Sequence, residues 1–169
     1  MPPRARAVTK FVADAMLGSL ARKLRAFGFD TSYFREGEDA DLLALASTEG
    51  RVVLTSDRSL VERAGARRLP ALLITGKEDS GRIASLREAA RAGRVNLVRG
   101  PPLCSVCNGK LEVLAKSDVA GRVPLPVEKR HRLFFRCMDC GRYYWRGGHW
   151  KKLRWLERRL GETPHGAIY

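Results

Sequence analysis

The first hundred residues alternate short apolar runs with helix-length amphipathic stretches, most of them closed by glycine, and few folds accept that rhythm. KFVA at 10–13 predicts a strand that ends on Asp14. Leu17, Leu20, Ala21, Leu24 and Phe27 then recur at helical spacing, and Gly28 stops the helix. TSYF at 31–34 is β-branched and aromatic and predicts a second strand. DADLLALAST at 39–48 suits a helix with an acidic first turn, ended by Gly50. A third strand at 51–55, a helix at 58–66, a strand at 71–75 after Pro70, a helix at 80–92 and a fifth strand, RVNLV, at 94–98 complete the series. Five strands separated by four helices predict an α/β fold, a parallel sheet wrapped by helices through right-handed crossovers. The Val, Leu and Ile content of the strands fits burial on both faces.

Arg99-Gly100-Pro101-Pro102 breaks this pattern and predicts a boundary between an α/β domain at 1–100 and a smaller unit at 101–169. The smaller unit holds all four cysteines, as the pairs Cys104/Cys107 and Cys137/Cys140. Each pair is followed by a residue able to take positive φ, Asn108 or Gly141, as a tight turn needs when its amides face two thiolates. Two such turns bring four sulfurs to one tetrahedral zinc, and four protein ligands close the site, so this zinc is expected to be structural. A redox Cys-x-x-Cys pair is the competing expectation. Twenty-nine residues separate the pairs, which calls for a long hairpin. Short strands are expected at 111–115, 133–136 and 143–145, with a basic helix at about 150–160 and a loose tail after it. The basic start, MPPRARAVTK, lacks the apolar stretch of a signal peptide, and no run reaches the roughly 18 apolar residues of a membrane span, so the cytoplasm is the expected location.

Net charge is +14, and residues 101–169 carry more than their share of it. A basic surface of this size favours a polyanion, and nucleic acid is the usual one, although a charge-rich thermophile surface would read the same. In GRYYWRGGHW, residues 141–150, aromatic rings alternate with arginine. Such rings stack on bases while arginine neutralises phosphate, making Tyr143, Tyr144, Trp145, Arg146 and His149 candidate RNA contacts. Strand alternation puts Tyr143 and Trp145 on one face and Tyr144 on the other, so some of these rings fill the ribbon's own core. His149 can serve as an acid/base or be structural. Arg22, Lys23 and Arg25 follow Asp14 on the first helix, expected off its apolar stripe, where they can hold phosphates or simply meet solvent.

In an open α/β sheet, ligands bind beyond the carboxyl ends of the strands. Asp14 follows the first strand there, Asp57 the third, and Asp39 and Asp41 open the second helix at the same edge. Carboxylates gathered from separate segments repel one another unless a divalent cation joins them, and hard oxygen ligands suit Mg²⁺ or Mn²⁺. Taken singly, Asp39 and Asp57 also read well as helix caps.

The stretches FVADAMLGSLARKLRAFGFDT, DADLLALA with EGRVVLTSD, CSVCNGKLE and CMDCGRYYWRGGHW, in this order from Phe11 to Leu156, together resemble the Mut-seven C-terminal RNase family, a PIN-like nuclease domain fused to a zinc ribbon. The resemblance implies RNA cleavage with a divalent metal, with Asp14 and Asp57 as the acids after strands one and three. It favours Asp39 over Asp41 as the acid three places before the Leu-Leu pair, and makes the four cysteines the zinc ligands. Ser56 stands where the family commonly has a basic residue, and GKEDSGRI departs from its usual sequence, leaving Asp79 a weak candidate for a fourth acid. The expectation is a metal-dependent ribonuclease whose ribbon helps hold RNA, with the ribosome and tRNA as candidate partners. The alternative is an RNA- or ribosome-binding protein with a weak or silent nuclease site. A phosphoacceptor domain would need an acidic pair after strand one and a lysine after strand five, where Asp14 stands alone and Arg99 follows.

Overall fold

The structure is a computed structural model, and it describes residues 7–161. Four parallel strands, β1 (Lys10–Ala13), β2 (Asp30–Tyr33), β3 (Val52–Thr55) and β4 (Ala71–Leu73), lie in the order β2-β1-β3-β4. Helices α1 (Gly18–Ala26), α2 (Asp39–Glu49), α3 (Arg58–Ala66) and α4 (Asp79–Arg91) connect and cover them. On one face Leu17, Leu20 and Leu24 join Ile83 and Leu86 of α4 over Phe11 and Leu54. On the other, Leu42, Leu43 and Ala46 of α2 meet Leu60 and Ala64 of α3 over Val12 and Val53. Residues that alternate along β1 and β3 thus feed opposite cores, which explains the consecutive apolar residues at 11–13 and 52–54.

This order has a consequence for function. The chain leaves β1 toward β2, then crosses back to place β3 on the other side of β1. The sheet reverses direction between β1 and β3, and the carboxyl ends of those two strands flank a topological switch point, where such sheets open a crevice.

The expected fifth strand is absent. Residues 94–98 run irregularly past the start of β1, where Thr9 N–H donates to Val98 O at 2.9 Å. The Thr9 hydroxyl serves Asn96 O and Val98 N–H, so a side chain replaces part of the ladder. Val95 and Leu97 still meet the core, which accounts for the apolar pattern without a strand. The segment then reaches Gly100, whose N–H donates to Gly28 O at 2.8 Å. Gly28 has φ of 90°, and a Cβ there would stand 2.0 Å from Gly100 O, so the crossing requires glycine twice over.

Beyond Pro102 the chain forms an antiparallel sheet of β5 (Leu111–Leu114), β6 (Phe134–Cys137) and β7 (Tyr143–Trp145). The long hairpin between the cysteine pairs contains a short helix, α5 (Leu125–Arg130), and closes a small core of Phe134, Val119 and Val123. The final helix, α6 (Trp150–Leu160), returns to the α/β sheet and sinks Leu156 and Leu160 into the same cluster as Phe11. Arg99 fastens it, with Nη1 on Glu157 at 3.0 Å, Nη2 on Gly161 O at 2.8 Å, and its guanidinium 5.7 Å from the Phe29 ring centroid. Among the described residues no helix is long and apolar enough to cross a membrane. The expected tail after the last helix lies outside the described residues.

Candidate functional site

The acidic edge is built at the switch point. Asp14 caps a short 3-10 turn at Ala15–Leu17, its Oδ1 accepting from Met16 N–H at 2.9 Å. Its backbone N–H donates to Leu54 O at 3.1 Å, tying it to β3. Asp57 caps α3, with Oδ1 accepting from Ser59 N–H at 2.8 Å. Thr55 joins the two, because its hydroxyl donates to Asp14 Oδ2 and accepts from Asp57 N–H at 2.9 Å. Asp14 is buried and Asp57 exposed, so the pair offers one fixed carboxylate and one facing solvent.

Asp39, the first residue of α2, faces α3. Arg63 reaches across to it with Nη2, and the same nitrogen lies 3.9 Å from Asp57 Oδ2. Asp14, Thr55, Asp57, Arg63 and Asp39 therefore form one continuous chain of contacts. A guanidinium, rather than a common metal position, neutralises two of the three carboxylates. Asp41 is exposed and, two residues further along α2, turns away from Asp39, because positions i and i+2 do not share a helix face. Asp79 is taken by Lys23 at 2.7 Å. Burial raises its pKa, but the Lys23 and Ser19 hydrogen bonds win and hold it below the usual carboxylate value, so it is engaged as an ion pair. Ser56 donates to Ile74 O at 3.0 Å and joins β3 to the end of β4.

The four cysteines converge. All their sulfurs lie within 4.8 Å of one another, with Cys104 and Cys140 at 3.6 Å and Cys107 and Cys137 at 3.4 Å. A tetrahedral zinc with Zn–S bonds of about 2.3 Å needs sulfurs about 3.8 Å apart, so one ion fits. Among the described residues this is the one group of three or more Cys, His, Asp or Glu ligand atoms close enough to share an ion. Asn108 and Gly141 take φ of 69° and 71°, as the turns require. The amides of Cys107 and Cys140 point at Cys104 and Cys137 at 3.5 Å. The Tyr144 hydroxyl lies 2.9 Å from Cys104 Sγ. Burial raises the Cys104 pKa, but the Tyr144 hydroxyl and nearby amides outweigh it and bring the thiol to about 6. Burial and the adjacent sulfur push the Tyr144 phenol up to about 12, which keeps it a donor.

Two residues sew this centre to the α/β sheet, and the sequence reading placed neither role. Arg25 is buried and belongs with the buried stripe one turn after Ala21, not beside it. Its Nε donates to Thr31 O at 2.8 Å, and its Nη1 to Ser105 O at 3.1 Å and Val106 O at 2.8 Å, inside the first cysteine turn. Arg25 is therefore withdrawn from phosphate contact. Asn108 accepts from Thr31 N–H at 3.0 Å and donates to Asp30 Oδ1 at 2.8 Å. Asp30 also binds buried Arg51 at 2.7 Å, and Arg51 reaches Glu49 at 2.6 Å. Burial raises the Asp30 pKa, yet Arg51 and Asn108 hold it below the ordinary value.

Between α1 and the ribbon lies a cleft of about 630 Å³. Arg22, Lys23 and Ala26 line it from α1, and Tyr143, Tyr144 and Trp145 from β7. Arg146 and His149, in the loop before α6, line it too, so every expected RNA contact except Arg25 meets in one place. Within β7, Tyr143 and Trp145 pack against the ribbon core while Tyr144 faces the sulfurs, the expected alternation. Trp150, Lys152 and Leu153 of α6 add to the lining and were not singled out from the sequence. The signal was present in the spacing of Trp150, Leu153, Leu156 and Leu160 on one helix face. The guanidinium of Arg146 sits 5.4 Å from the Trp150 ring centroid.

A parallel sheet with acids at its switch point, joined to a ribbon whose four cysteines could share one metal ion, defines an α/β protein with a four-cysteine module. A sequence model of the Mut7-C RNAse domain matches residues 9–156, nearly the whole chain, and the protein belongs to that family. No curated protein and no solved structure matches it significantly.

Proposed function

We propose that this protein is a metal-dependent ribonuclease, with Asp14, Asp39 and Asp57 as ligands for Mg²⁺ or Mn²⁺ and the cleft between α1 and the ribbon as the RNA-holding surface. The observation that carries the reading is the Thr55 hydroxyl joining Asp14 to Asp57 across adjacent strands at the switch point. Divalent ions held there would activate water and offset charge developing on a phosphodiester. Thr55 and Met16 N–H fix the Asp14 carboxylate, while the Ser59 amide uses one oxygen of Asp57 and leaves Oδ2 outward. Arg63, half exposed, can swing from Asp39 and Asp57 to a substrate phosphate as the acids take up metal. The cleft shares α1 with this edge, since Lys23, in the last turn of α1, reaches back to the Ser19 hydroxyl and to Asp79 at the start of α4. The zinc in this reading is structural, and the protein works in the cytoplasm on RNA.

The test is cleavage of labelled RNA with Mn²⁺ or Mg²⁺ by the wild type and Asp57→Asn. Asparagine caps helices as well as aspartate, so the variant keeps its fold. The expected loss is on the order of 100-fold in rate, the scale for removing one electrostatic group from a reacting centre. Undiminished cleavage removes Asp57 from the mechanism. A second reading, an RNA- or ribosome-binding protein with a weak or silent site, is favoured by the Arg63 bridge, which already neutralises two of the acids. Salt-sensitive RNA binding without turnover, across several metals, supports it.

A further inference from the structure

We propose that the cleft between α1 and the ribbon is a seat for an unpaired RNA base, which makes the protein selective for single-stranded over duplex RNA. The inference rests on the RNA reading above but not on catalysis. The cleft is walled by the rings of Tyr144, Trp145 and Trp150, all only partly buried, so ring surface is left facing the opening. Its volume of about 630 Å³ is that of a small-molecule pocket and takes a base with its sugar. In a duplex the base faces are stacked and unavailable, whereas a single strand can splay a base onto an aromatic wall.

The charges at the rim fit the same occupant. Arg22 and Lys152 line the cleft and are exposed, and among the described residues neither has an acidic partner within ion-pair distance. The acid on the rim, Asp79, is neutralised by Lys23. An apolar seat bordered by unpaired cations complements a strand that carries a phosphate on each side of its base. Two glycines keep the mouth open. A Cβ at Gly147 would press within 3.1 Å of Trp145 Nε1, and a Cβ at Gly148 would meet nothing within 4 Å. Gly148 therefore accepts a side chain without disturbing the fold, and a bulky one there would stand at the lining of the seat.

The experiment uses the full, zinc-loaded chain in an Asp57→Asn background without added Mg²⁺ or Mn²⁺. Fluorescence anisotropy reads the binding of labelled oligouridine of about twelve nucleotides and of an RNA duplex of the same length. Oligouridine is expected to bind at least about tenfold more tightly than the duplex, and Trp150→Ala to weaken it by about 5- to 150-fold, the cost of one lost base stack. Gly148→Leu should weaken oligouridine to a similar degree and leave duplex binding unchanged, and it decides the matter even if Trp150→Ala fails to fold. Trp155→Ala, exposed on α6 away from the cleft lining, should change nothing. Equal or tighter duplex binding, or oligouridine binding indifferent to Gly148→Leu, overturns the proposal. Cleavage by the wild type with Mn²⁺ is read separately. Selective binding without cutting removes the nuclease reading alone, and cutting with equal duplex binding removes the base seat alone.

Discussion

Replacing Arg25 with methionine should loosen the cysteine turn from the α/β sheet. The side chain is buried and gives three hydrogen bonds, to Thr31 O at 2.8 Å, Ser105 O at 3.1 Å and Val106 O at 2.8 Å. Bonds to a charged group contribute about 1.5–3 kcal/mol each, which would suggest as much as about 9 kcal/mol for three. That sum is too large for two reasons. Burying the guanidinium carries its own desolvation cost, which the variant no longer bears. The carbonyls of Ser105 and Val106 lie in a partly exposed turn and regain water once the arginine leaves, while Thr31, fully buried, does not. The expected loss is therefore about 3–5 kcal/mol, the usual result of breaking one partner out of a buried ionic contact. For a chain of this length that lowers the melting temperature by roughly 6–20 °C. Arg25→Lys should fall between the two, because one ammonium cannot reach all three acceptors at once. Differential scanning calorimetry gives the melting shift, and a colorimetric chelator gives the rate of zinc release, which should rise in parallel. A methionine variant that melts within about 1 °C of wild type and keeps its zinc equally well refutes the reasoning, since on this scale a loss under 0.5 kcal/mol is a surface effect.

Three further outcomes follow from the same contacts. Arg63→Ala should raise Mn²⁺ affinity up to about fivefold by titration calorimetry, matching the 0.2–1 kcal/mol of an exposed ion pair, and unchanged affinity would separate Arg63 from the metal position. Stripping the zinc with a strong chelator, or Cys137→Ser, should unfold the ribbon and abolish the near-ultraviolet signal of its tryptophans, because structural zinc contributes about 10 kcal/mol or more to such modules. Asp30 has a folded pKa below its ordinary value of 3.8, so its ion pair stabilises fully above 3.8 and is lost as pH falls through the lower folded value. The stability difference between wild type and Asp30→Asn should accordingly shrink in acid denaturation below pH 3.8, and a constant difference would exclude the ion pair as its cause.

Much of this was readable in order and spacing. The parallel sheet followed from apolar runs separated by helix-length segments, and the placement of Asp14 and Asp57 followed from the rule about strand ends. The cysteine turns announced themselves through Asn108 and Gly141. The fifth strand misled because an apolar pattern reports burial, and Val95 and Leu97 are partly or wholly buried without pairing. Arg25 misled for the opposite reason. Its partners at 105 and 106 lie 80 residues away in the chain, and no local pattern reveals that a buried arginine will be met there by carbonyls. The same distance in sequence hid Arg63, which meets Asp39 across 24 residues only because α2 and α3 cover the same face of the sheet.

The ribbon is more than a module attached by a linker, and this bears on what zinc does for the RNA reading. Leu156 and Leu160 of α6 share a core with Phe11 and Leu24, and Arg99 holds that helix through Glu157 and Gly161 O. At the other end, Arg25 and Asn108 hold the first cysteine turn against Thr31 and Asp30. Between these anchors Tyr144 touches Cys104 Sγ with its hydroxyl and lines the cleft. In the proposed reading, a zinc held by all four thiolates would therefore still govern RNA binding. The cysteine turns set where β7 stands, β7 sets the aromatic wall, and α1, carrying Arg22 and Lys23, is fixed opposite that wall by the turn that carries Cys104 and Cys107. Loss of zinc should thus weaken oligouridine binding even where the α/β sheet stays folded, and the acidic edge, held by Thr55 and Arg63 within that sheet, should keep its metal affinity.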